Sequence, residues 1–376
     1  MEQNIITARD NYIEFDEWLE SNNCGNLLMV CGGSIRYMVG FNKHLEGIEA
    51  KGIRIIRFRN FQPNPLYSSV VAGVMLFREE QCDSIIAIGG GSAMDVAKCI
   101  KLYSDFPGDG TDGSWLKAEI IPNDIPFLAM PTTAGTGSEA TRYAVIYYED
   151  EKQSITSENF IPQTVLMDSN ALKTLPLYQK KATMCDALCH AIESFWSMNS
   201  TEESKAYSRE AIQGVLKNMD GYLSNTEKGN GGMLRAAHKA GKAINITQTT
   251  AGHAMCYKIT SLFGSAHGHA AVLCDRVLFP WMIVNTAKCI DQRGEEYIKK
   301  TFDEIGYALG CEDAKSGAKK LIDIFEQLEL EVPVATEEQF EKLKSSVNLV
   351  RLKNHPIKLD VDTIDMLYRG ILGGVE

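Results

Sequence analysis

Short apolar runs alternate with polar, helix-like stretches from the start of the chain to about residue 175. The apolar runs that predict strands are Asn26–Cys31, Ile53–Phe58, Ser84–Ile88, Phe127–Met130, Ala144–Tyr148 and Thr164–Met167. The run from Ile85 to Ile88 is wholly apolar, which is typical of a strand that is buried on both faces. Strands that alternate with helices in this way predict β-α-β units and a parallel sheet.

The pattern changes at Leu175-Pro176-Leu177, where we place the junction between two domains. The strand signals then fade, and stretches rich in Ala, Glu, Lys and Leu predict helices over Tyr178–Met198, Thr201–Met219, Gly232–Gln248 and Gly294–Leu309. Thr201 is a predicted N-cap, because acidic residues follow it in the first turn. The acidic segment Glu331–Phe340 predicts a surface loop and a helix start. The sequence therefore predicts an α/β domain over residues 1–176 and an all-α domain over residues 177–376.

Composition and charge narrow the class of protein. A chain of 376 residues with 44% hydrophobic and 23% charged residues fits a two-domain globular enzyme. The formal net charge of -11 argues against nucleic acid or an anionic membrane as a partner. The first residues lack a signal-peptide pattern, and no apolar run reaches the ~18 residues of a membrane helix. We therefore expect a cytoplasmic protein.

The ten cysteines are scattered, and none of them forms a C-x-x-C pair. This spacing argues against a thiolate zinc site. Since no export signal is evident, free thiols in a reducing compartment are expected.

A predicted strand is followed by a glycine-rich segment that opens a predicted helix, Ile88-Gly89-Gly90-Gly91-Ser92-Ala93-Met94-Asp95-Val96-Ala97-Lys98. The glycines allow a sharp turn and close approach to a phosphate, and a helix N-terminus offers free N–H groups. The segment lacks the Gly-Lys-Ser/Thr of a Walker A loop, and Met94 replaces the last glycine of G-x-G-x-x-G. By itself, the triplet is equally consistent with a tight strand–helix turn.

A second loop follows the strand Phe127–Met130 and reads Pro131-Thr132-Thr133-Ala134-Gly135-Thr136-Gly137-Ser138-Glu139. Its hydroxyl and backbone groups are suitable donors to a diphosphate or a ribose. Ligands of open α/β sheets bind at the carboxyl edge, where loops that follow parallel strands meet. The two loops together therefore favour a nucleotide cofactor over two unrelated turns.

A metal site is indicated by Asp186 and His190, which are four residues apart in a helical pattern and so share one helix face. His253, His267 and His269 follow, and two of these three could complete an Asp/His/His/His set. A carboxylate with imidazoles suits Fe2+, Zn2+, Co2+ or Mn2+. Such an ion acts as a Lewis acid on a carbonyl oxygen. Taken alone, each histidine is more often a core or surface residue than a ligand.

These segments, in this order, resemble the iron-containing (group III) alcohol dehydrogenases over nearly the whole chain. The matching residues are Gly89-Gly90-Gly91-Ser92-x-x-Asp95-x-Ala97-Lys98, Pro131–Glu139, Asp186-Ala187-x-x-His190-Ala191-Ile192-Glu193, and Gly252-His253-Ala254-Met255 through His267-Gly268. The resemblance implies a Rossmann-like dinucleotide-binding domain, a helical metal-binding domain, and an architecture shared with dehydroquinate synthase.

The resemblance also implies the roles of individual residues. It assigns the metal, with Fe2+ favoured and Zn2+ or Mn2+ possible, to Asp186, His190, His253 and His267. It assigns the cofactor to Gly89, Gly90, Gly91, Ser92, Asp95, Thr132, Thr133, Thr136 and Ser138, together with Lys152. It further implies a homodimer.

The chain departs from the family at the end of its first long strand, where the family often carries an aspartate that repels a 2′-phosphate. Here Gly32 and Gly33 follow Cys31. Without that carboxylate, the like-charge penalty against NADPH is removed. We therefore favour NADP(H), with NAD(H) also possible, and include Gly32 among the cofactor-binding residues.

A second departure concerns catalysis, because Tyr257 stands where the family has a further histidine, four residues after His253. The ligand set is not expected to change. His267, Tyr257 and His269 are the candidate catalytic residues, His267 through the metal and the other two as proton relays. A structural role for His269 is the competing interpretation.

Three cations stand where the family usually has neutral residues: Arg142, Lys242 and Lys258. An anionic aldehyde would supply their counter-charge, and arginine suits a phosphonate or sulfonate. The chain looks most like the phosphonoacetaldehyde reductase branch, which forms 2-hydroxyethylphosphonate. The alternatives are three surface charges, another small aldehyde (sulfoacetaldehyde or a simple aliphatic one), a dehydroquinate-synthase-like lyase, and a binding protein without activity.

Overall fold

The computed structural model describes residues 3–149, 151–347 and 352–374. The chain forms two compact units, one of Met1–Leu175 with Asn225–Leu234 and one of Pro176–Ser224 with Arg235–Glu376. The segment Asn225–Leu234, which the pattern placed with the helices, clusters with the first unit. Asn225 donates to the Lys173 carbonyl (2.8 Å) and Asn230 donates to the Ser169 carbonyl (3.3 Å), so side-chain amides tie this segment to the end of the first unit.

Six strands of the first unit form a wholly parallel sheet: β1 (Asn4–Thr7), β2 (Asn26–Cys31), β3 (Arg54–Phe58), β4 (Ser84–Gly89), β5 (Phe127–Pro131) and β8 (Thr164–Met167). Their order is β1-β8-β5-β4-β2-β3, so β2 lies between β3 and β4, and the order reverses there. Cys31 pairs with Ile88, and Ile88 pairs with Met130. The segments after β2, β4 and β5 therefore leave the sheet side by side, at the kind of switch point where α/β sheets bind ligands.

Four helices accompany this sheet: α1 (Ile13–Ser21), α2 (Val39–Ala50), α3 (Tyr67–Glu79) and α4 (Gly91–Tyr103). Phe15 and Trp18 of α1 and Phe41 of α2 join Met29 and Ile86 of the sheet in one buried cluster. The spacing of the apolar residues explains this packing, because positions three or four apart lie on one helix face.

The run Ala144–Tyr148 was predicted as a strand of the parallel sheet, and this placement was wrong. It belongs to β6 (Tyr143–Tyr148), which pairs with β7 (Glu151–Thr156) in a separate antiparallel hairpin. Only two residues separate the two strands, and a parallel pairing needs a crossover of a dozen or more. The pattern missed β7 because its sequence is polar and its side chains are exposed or half-buried. It also missed the short edge strand β1.

The second unit is built of helices: α5 (Leu177–Trp196), α6 (Glu202–Leu223), α7 (Glu227–Thr247, which begins in the first unit), α8 (Ala251–Phe263), α9 (His267–Val284), α10 (Glu295–Ala308), α11 (Ala314–Gln327), α12 (Glu337–Ser346) and α13 (Val361–Ile371). Two strands of two residues each, β9 (Val334–Ala335) and β10 (Gly373–Gly374), pair in parallel. Thr201 caps α6 as predicted, since its hydroxyl accepts from the Ser204 N–H. The predicted fold class, an α/β unit followed by a helical one, is confirmed.

All ten cysteines are free thiols, and eight of them are buried. Among the described residues, no helix combines the length and the apolar character that crossing a membrane would require.

Candidate metal centre and cofactor loops

Three helices of the second unit supply the four predicted metal ligands. Asp186 and His190 lie one turn apart on α5, His253 lies in the first turn of α8, and His267 is the first residue of α9. α5 and α9 contact each other, and so do α8 and α9. Residues that are up to 81 positions apart in sequence are thereby placed on three packed helices.

The four side chains converge on one carboxylate oxygen. The Nε2 atoms of His253, His267 and His190 lie 3.5, 3.8 and 4.0 Å from Asp186 Oδ1. The ligand atoms of Asp186, His253 and His267 all lie within 4.8 Å of one another. Donor atoms about 2.1 Å from a tetrahedral ion stand about 3.4 Å apart, so the separations of these three residues suit a single shared cation. His190 approaches Asp186 Oδ1 but does not belong to this mutually close group.

The buried polar atoms also fit a cation. Among the described residues, Asp186 Oδ1 and His253 Nε2 are buried and have no hydrogen-bond partner. A buried carboxylate oxygen without a partner is costly, and a divalent ion would remove that cost for both atoms. One carboxylate with imidazole nitrogens is a donor set that Fe2+, Zn2+ and Mn2+ accept. The residues present therefore fit the metal that the sequence predicted.

Two glycines allow the helices to approach closely enough for this convergence. A Cβ on Gly268, next to His267, would lie 2.1 Å from the Ala182 carbonyl oxygen of α5. A Cβ on Gly252, next to His253, would lie 1.9 Å from Asp275 Oδ1. Both distances are far below van der Waals contact, so each histidine depends on a neighbour without a side chain.

Glu193 contacts His253 at Nδ1, the ring nitrogen that does not face Asp186. It is fully buried, and its Oε1 contacts His253 Nδ1 and accepts from the His253 N–H (3.0 Å). Its Oε2 accepts from the N–H and the hydroxyl of Thr250 (2.5 and 2.6 Å). A carboxylate on Nδ1 leaves Nε2 as the metal-facing nitrogen and increases its basicity.

The charges of the centre strongly shift the pKa values of Asp186 and His253. Burial would raise the pKa of Asp186, but the His190, His253 and His267 imidazoles outweigh it and hold the pKa well below the ordinary value. Burial would lower the pKa of His253, but the Glu193 and Asp186 carboxylates outweigh it and raise the pKa to about 10. In the metal-free protein, a proton on His253 thus supplies part of the positive charge that a cation would bring.

His267 is the most exposed of the four ligands, with 36% of its side chain accessible. The Tyr257 ring stacks on it, with centroids 5.3 Å apart and planes 28° apart, and the Cys256 Sγ lies 3.6 Å from its Nδ1. Tyr257 is 41% exposed. The structure therefore brings this proposed proton relay against a ligand.

His269 occupies a different environment. Its Nε2 lies 2.9 Å from the Glu331 carbonyl oxygen, so this nitrogen donates, and Nδ1 accepts from the Tyr178 hydroxyl (3.1 Å). The Tyr178 oxygen in turn accepts from the Ala266 N–H (2.9 Å). Both ring nitrogens thus serve in a chain that secures the start of α9, which corresponds to the structural interpretation of this residue.

The two predicted cofactor loops pack against each other at the carboxyl edge of the sheet. The Thr132 N–H donates to the Gly89 carbonyl (3.0 Å). A Cβ on Gly90 would lie 3.0 Å from Thr133 Oγ1, and one on Gly91 would lie 3.2 Å from the Thr136 methyl group. Helix α4 starts at Gly91 without a side-chain cap, and the N–H groups of Ala93 and Met94 donate to the Gly90 carbonyl. The N–H groups of Gly91 and Ser92 precede these bonds and are the ones placed to bind an anion.

Asp95, Ser138 and Lys98 brace the second loop from beneath. Asp95 Oδ1 accepts from the Ser138 hydroxyl (2.9 Å), and its Oδ2 accepts from the Val145 N–H (3.1 Å). The buried Lys98 ammonium donates to the Ser138 carbonyl (2.6 Å) and hydroxyl (3.0 Å). Lys152, half-buried on β7, lies near enough for its charge to lower the pKa of Asp95, against a larger upward effect of burial.

Gly32 lies at the end of β2, beside these loops. Its N–H approaches the Ile88 carbonyl (3.4 Å), and the Ser34 hydroxyl lies 3.4 Å from that of Thr132. No atom lies within 4 Å of a Cβ built on Gly32 or Gly33, so the surface here is open.

The three predicted substrate cations have different surroundings. Arg142 forms an ion pair with Glu158 (2.7 Å), so this guanidinium already has a counter-charge. The Lys242 ammonium lies over the Tyr207 ring, 5.3 Å from its centroid. Lys258 is half-buried on α8 and directly follows Tyr257. Arg142 belongs to the first unit, and both lysines belong to the second.

Glu193, Cys256 and Asp275 surround the predicted ligands, and no role was predicted for them from the sequence. Asp275 is fully buried, and burial and the Glu193 carboxylate raise its pKa well above the ordinary value. Glu193 had a usable signal, because it lies seven residues after Asp186 and so on the same face of α5. Cys256 and Asp275 had none, since their contacts depend on how α8 and α9 pack.

Comparison with known proteins covers almost the entire chain. The family "Iron-containing alcohol dehydrogenase" matches residues 3–169, and "Fe-containing alcohol dehydrogenase family, C-terminal" matches residues 180–372. Alcohol dehydrogenase 4 of Schizosaccharomyces pombe is 30% identical over 313 residues, or 82% of this chain and 71% of that protein. Phosphonoacetaldehyde reductase of Streptomyces viridochromogenes is 31% identical over 67% of this chain and 66% of that protein. A sulfoacetaldehyde reductase structure from Bifidobacterium kashiwanohense, with NAD+, has a TM-score of 0.85 at 25% identity over 98% of this chain and 96% of its own.

Proposed function

Since the chain belongs to the iron-containing alcohol dehydrogenase family and is an oxidoreductase, we propose that it reduces phosphonoacetaldehyde to 2-hydroxyethylphosphonate. The observation that carries the proposal is the convergence of three imidazole nitrogens on Asp186 Oδ1. The reaction would use a divalent ion, with Fe2+ favoured over Zn2+ and Mn2+, and a reduced nicotinamide cofactor.

Asp186, His190, His253 and His267 would hold the ion. An ion in this centre supplies Lewis acidity toward a carbonyl oxygen, and a reduced nicotinamide supplies the hydride. Asp186 contributes the negative charge of the ligand set, and Glu193 fixes the tautomer of His253. With hydride transfer there is no need for a covalent enzyme intermediate, and no nucleophile elbow of the G-x-S-x-G type is evident in the sequence.

Tyr257 is the residue that we assign to proton delivery. Its ring lies against His267, and its exposed fraction of 41% leaves it in contact with solvent. A phenol hydroxyl donates and accepts hydrogen bonds, so it is able to pass a proton to the product alkoxide and recover one from water. His269 is the weaker candidate, because both of its ring nitrogens are engaged elsewhere.

Two relatives support an anionic substrate, since one is named a phosphonoacetaldehyde reductase and another a sulfoacetaldehyde reductase. Of the three cations, Lys258 is the one that we favour for the anionic group, because it lies on α8, the helix that carries His253 and Tyr257. Arg142 has the weakest, because Glu158 already neutralises its charge. Sulfoacetaldehyde and simple aliphatic aldehydes are the alternative substrates.

NADPH is the cofactor that we favour. Gly32 and Gly33 stand where the family often has an aspartate, so the carboxylate that would repel a 2′-phosphate is missing at these positions. Arg59 follows β3, which pairs with β2, and its guanidinium lies close enough to the Cys31 thiol to lower that thiol's pKa, against a larger upward effect of burial. A cation beside Gly32 would attract a phosphate. NADH is the alternative, and one structural relative contains NAD+.

The test is an aldehyde panel with NADPH and NADH on protein reconstituted with Fe2+, Zn2+ or Mn2+. We expect phosphonoacetaldehyde to give the highest kcat/KM, with NADPH the better cofactor. If propanal is reduced equally well, the anionic substrate is wrong while the reductase assignment stands. A dehydroquinate-synthase-like lyase would not consume NADPH stoichiometrically, which separates that function. The homodimer and the cytoplasmic location remain predictions from the sequence.

A further inference from the structure

Cys256 lies between two of the proposed metal ligands. It stands three residues after His253 on α8, and it is fully buried. Its Sγ lies 3.3 Å from the His253 carbonyl oxygen and 3.6 Å from His267 Nδ1. The thiol therefore touches the backbone of one ligand and the ring of another.

The direction of both contacts follows from the groups involved. A carbonyl oxygen has no proton, so the contact with His253 uses the S–H of Cys256 as donor. The sulfur lone pairs then remain to accept the proton on His267 Nδ1. With that proton on Nδ1, the lone pair of the ring is on Nε2, which is the nitrogen 3.8 Å from Asp186 Oδ1.

We propose that Cys256 is a positioning residue, which fixes the tautomer and the ring orientation of His267 for metal binding. The inference rests on the metal centre of the proposed function. His253 has the Glu193 carboxylate on its Nδ1, whereas His267 has a neutral thiol there. Because a thiol is a weaker acceptor than a carboxylate, His267 is the ligand whose geometry depends most on how well this contact is kept.

Tyr257 limits the same ring from another side. Its ring stacks on His267 with planes 28° apart, so rotation of the imidazole about its Cβ–Cγ bond would break that contact. Cys256 then selects which ring nitrogen faces Asp186. Two consecutive residues of α8 thus fix the most exposed ligand of the centre, which begins a different helix.

The test measures Co2+ affinity of the metal-free full chain by titration of the visible d–d absorption. The variants are Cys256→Ala and Cys256→Val, which remove both hydrogen bonds, and Cys256→Ser, which keeps a donor and an acceptor. We expect Ala and Val to weaken binding about 10- to 100-fold, and Ser to restore it to within about threefold. Cys99→Ala, at an equally buried thiol on α4, should bind Co2+ like the wild type.

Thermal unfolding shows whether each metal-free variant is folded, and the Co2+ affinities of the Val and Ser variants then separate this role from packing. A packing role predicts that Val, which fills the volume, keeps the affinity, and that Ser is as poor as Ala; either result overturns the proposal. Unchanged affinity in both Ala and Val overturns it as well. The readout does not depend on turnover, so a wild type that binds Co2+ but reduces no aldehyde refutes only the proposed function. A wild type that binds no Co2+ refutes both.

Discussion

At the scale of single residues, the geometry of the proposed metal ligands depends on neighbours outside the ligand set. His253 follows Gly252 and has Glu193 on its Nδ1, and His267 precedes Gly268 and has Cys256 on its Nδ1. The glycines permit close approach of the helices, and the polar partners select the tautomer. We therefore expect affinity for the ion to depend on these neighbouring side chains as well as on the proposed ligands.

Replacement of Glu193 by glutamine tests this directly. Glu193→Gln keeps the shape but removes the negative charge behind His253, so we expect metal affinity to fall about 10- to 100-fold. Competition with a chromophoric chelator would measure it. Glu203→Gln, on the exposed first turn of α6, is the control and should bind as the wild type does. Equal affinities in both variants would show that Glu193 has no such role.

Replacement of Lys258 tests whether the anionic group of the proposed substrate is recognised by charge. A charge-assisted contact contributes about 1.5–3 kcal/mol, so Lys258→Ala should lower kcat/KM for phosphonoacetaldehyde about 10- to 100-fold and leave that for propanal nearly unchanged. Lys239→Ala, at a lysine paired with Glu210, is the matched control. A parallel loss for both aldehydes would argue against recognition of the anion by Lys258.

Replacement of Gly32 tests the proposed preference for NADPH over NADH. Gly32→Asp places a carboxylate where no atom interferes with the new side chain, so the fold should tolerate it. Repulsion of the 2′-phosphate should weaken NADPH binding at least about tenfold, with little effect on NADH. Gly32→Asn, which has the same size without the charge, separates charge from bulk. Fluorescence titration with each cofactor gives the dissociation constants, and equal effects of Asp and Asn would contradict the charge argument.

At the scale of elements, the cofactor site depends on how two loops fit together. Gly90 leads into α4 and packs on Thr133 of the loop after β5, so closely that a methyl group on Gly90 would require the Thr133 side chain to shift. Because the two loops follow the adjacent strands β4 and β5, the register of these strands fixes the position of each loop relative to the other. The sequence identified both loops, but their mutual contact appears only when β4 and β5 are paired.

Gly90→Ala should therefore displace the second loop. A Cβ 3.0 Å from Thr133 Oγ1 forces that side chain to move, and we expect NADPH affinity to fall about tenfold. Gly47→Ala, on α2 with open space around its Cβ, is the control and should leave cofactor binding unchanged. Isothermal titration calorimetry on both variants would measure the effect. A wild-type affinity in Gly90→Ala would show that the loops are free to adjust.

The hairpin of β6 and β7 shows the limit of periodicity at this scale. Alternation indicated that Ala144–Tyr148 is extended, and it is. Alternation carries no information about the partner strand, because pairing depends on connection length and on which edges are available. The polar β7 gave no apolar signal at all, so the sheet membership of β6 had to come from the structure.

At the scale of the whole molecule, stability should depend on His355. It is 1% exposed, and among the described residues neither of its ring nitrogens has a hydrogen-bond partner. Burial lowers its pKa from 6.5 to about 4, against a smaller upward effect of Glu193. Between these values the unfolded chain binds a proton that the folded chain does not, so stability is lost as the pH falls from about 6.5 to 4.

His355→Leu should flatten this dependence. The group contributes up to about 3 kcal/mol of acid sensitivity, which the variant would lack. Urea unfolding of the metal-free wild type and variant, from pH 4.5 to 7, gives the two stability curves. We expect them to diverge toward low pH, with the wild type losing more. Curves that run parallel over this range would contradict the assignment of the lowered pKa to His355.

At the scale of the whole molecule, the fold class and the family followed from sequence patterns. Short apolar runs, a helical second half and specific loop motifs determined the fold class and the family, and the family comparisons confirm the latter. These features are local in the chain, because hydrophobic periodicity and glycine loops act over a few residues. The pattern indicated Asp186 and His190 and left His253, His267 and His269 as candidates, and the family resemblance selected His253 and His267.

Tertiary structure alone decided what surrounds those residues. The Nδ1 partners of His253 and His267, the hydrogen bonds of His269 and the ion pair of Arg142 all join residues on different elements of the chain. Such contacts depend on which helix faces meet and how closely glycines let them approach, and neither quantity is encoded in the spacing of residues along one element. The chemistry was therefore determined by residue types, and its geometry by packing.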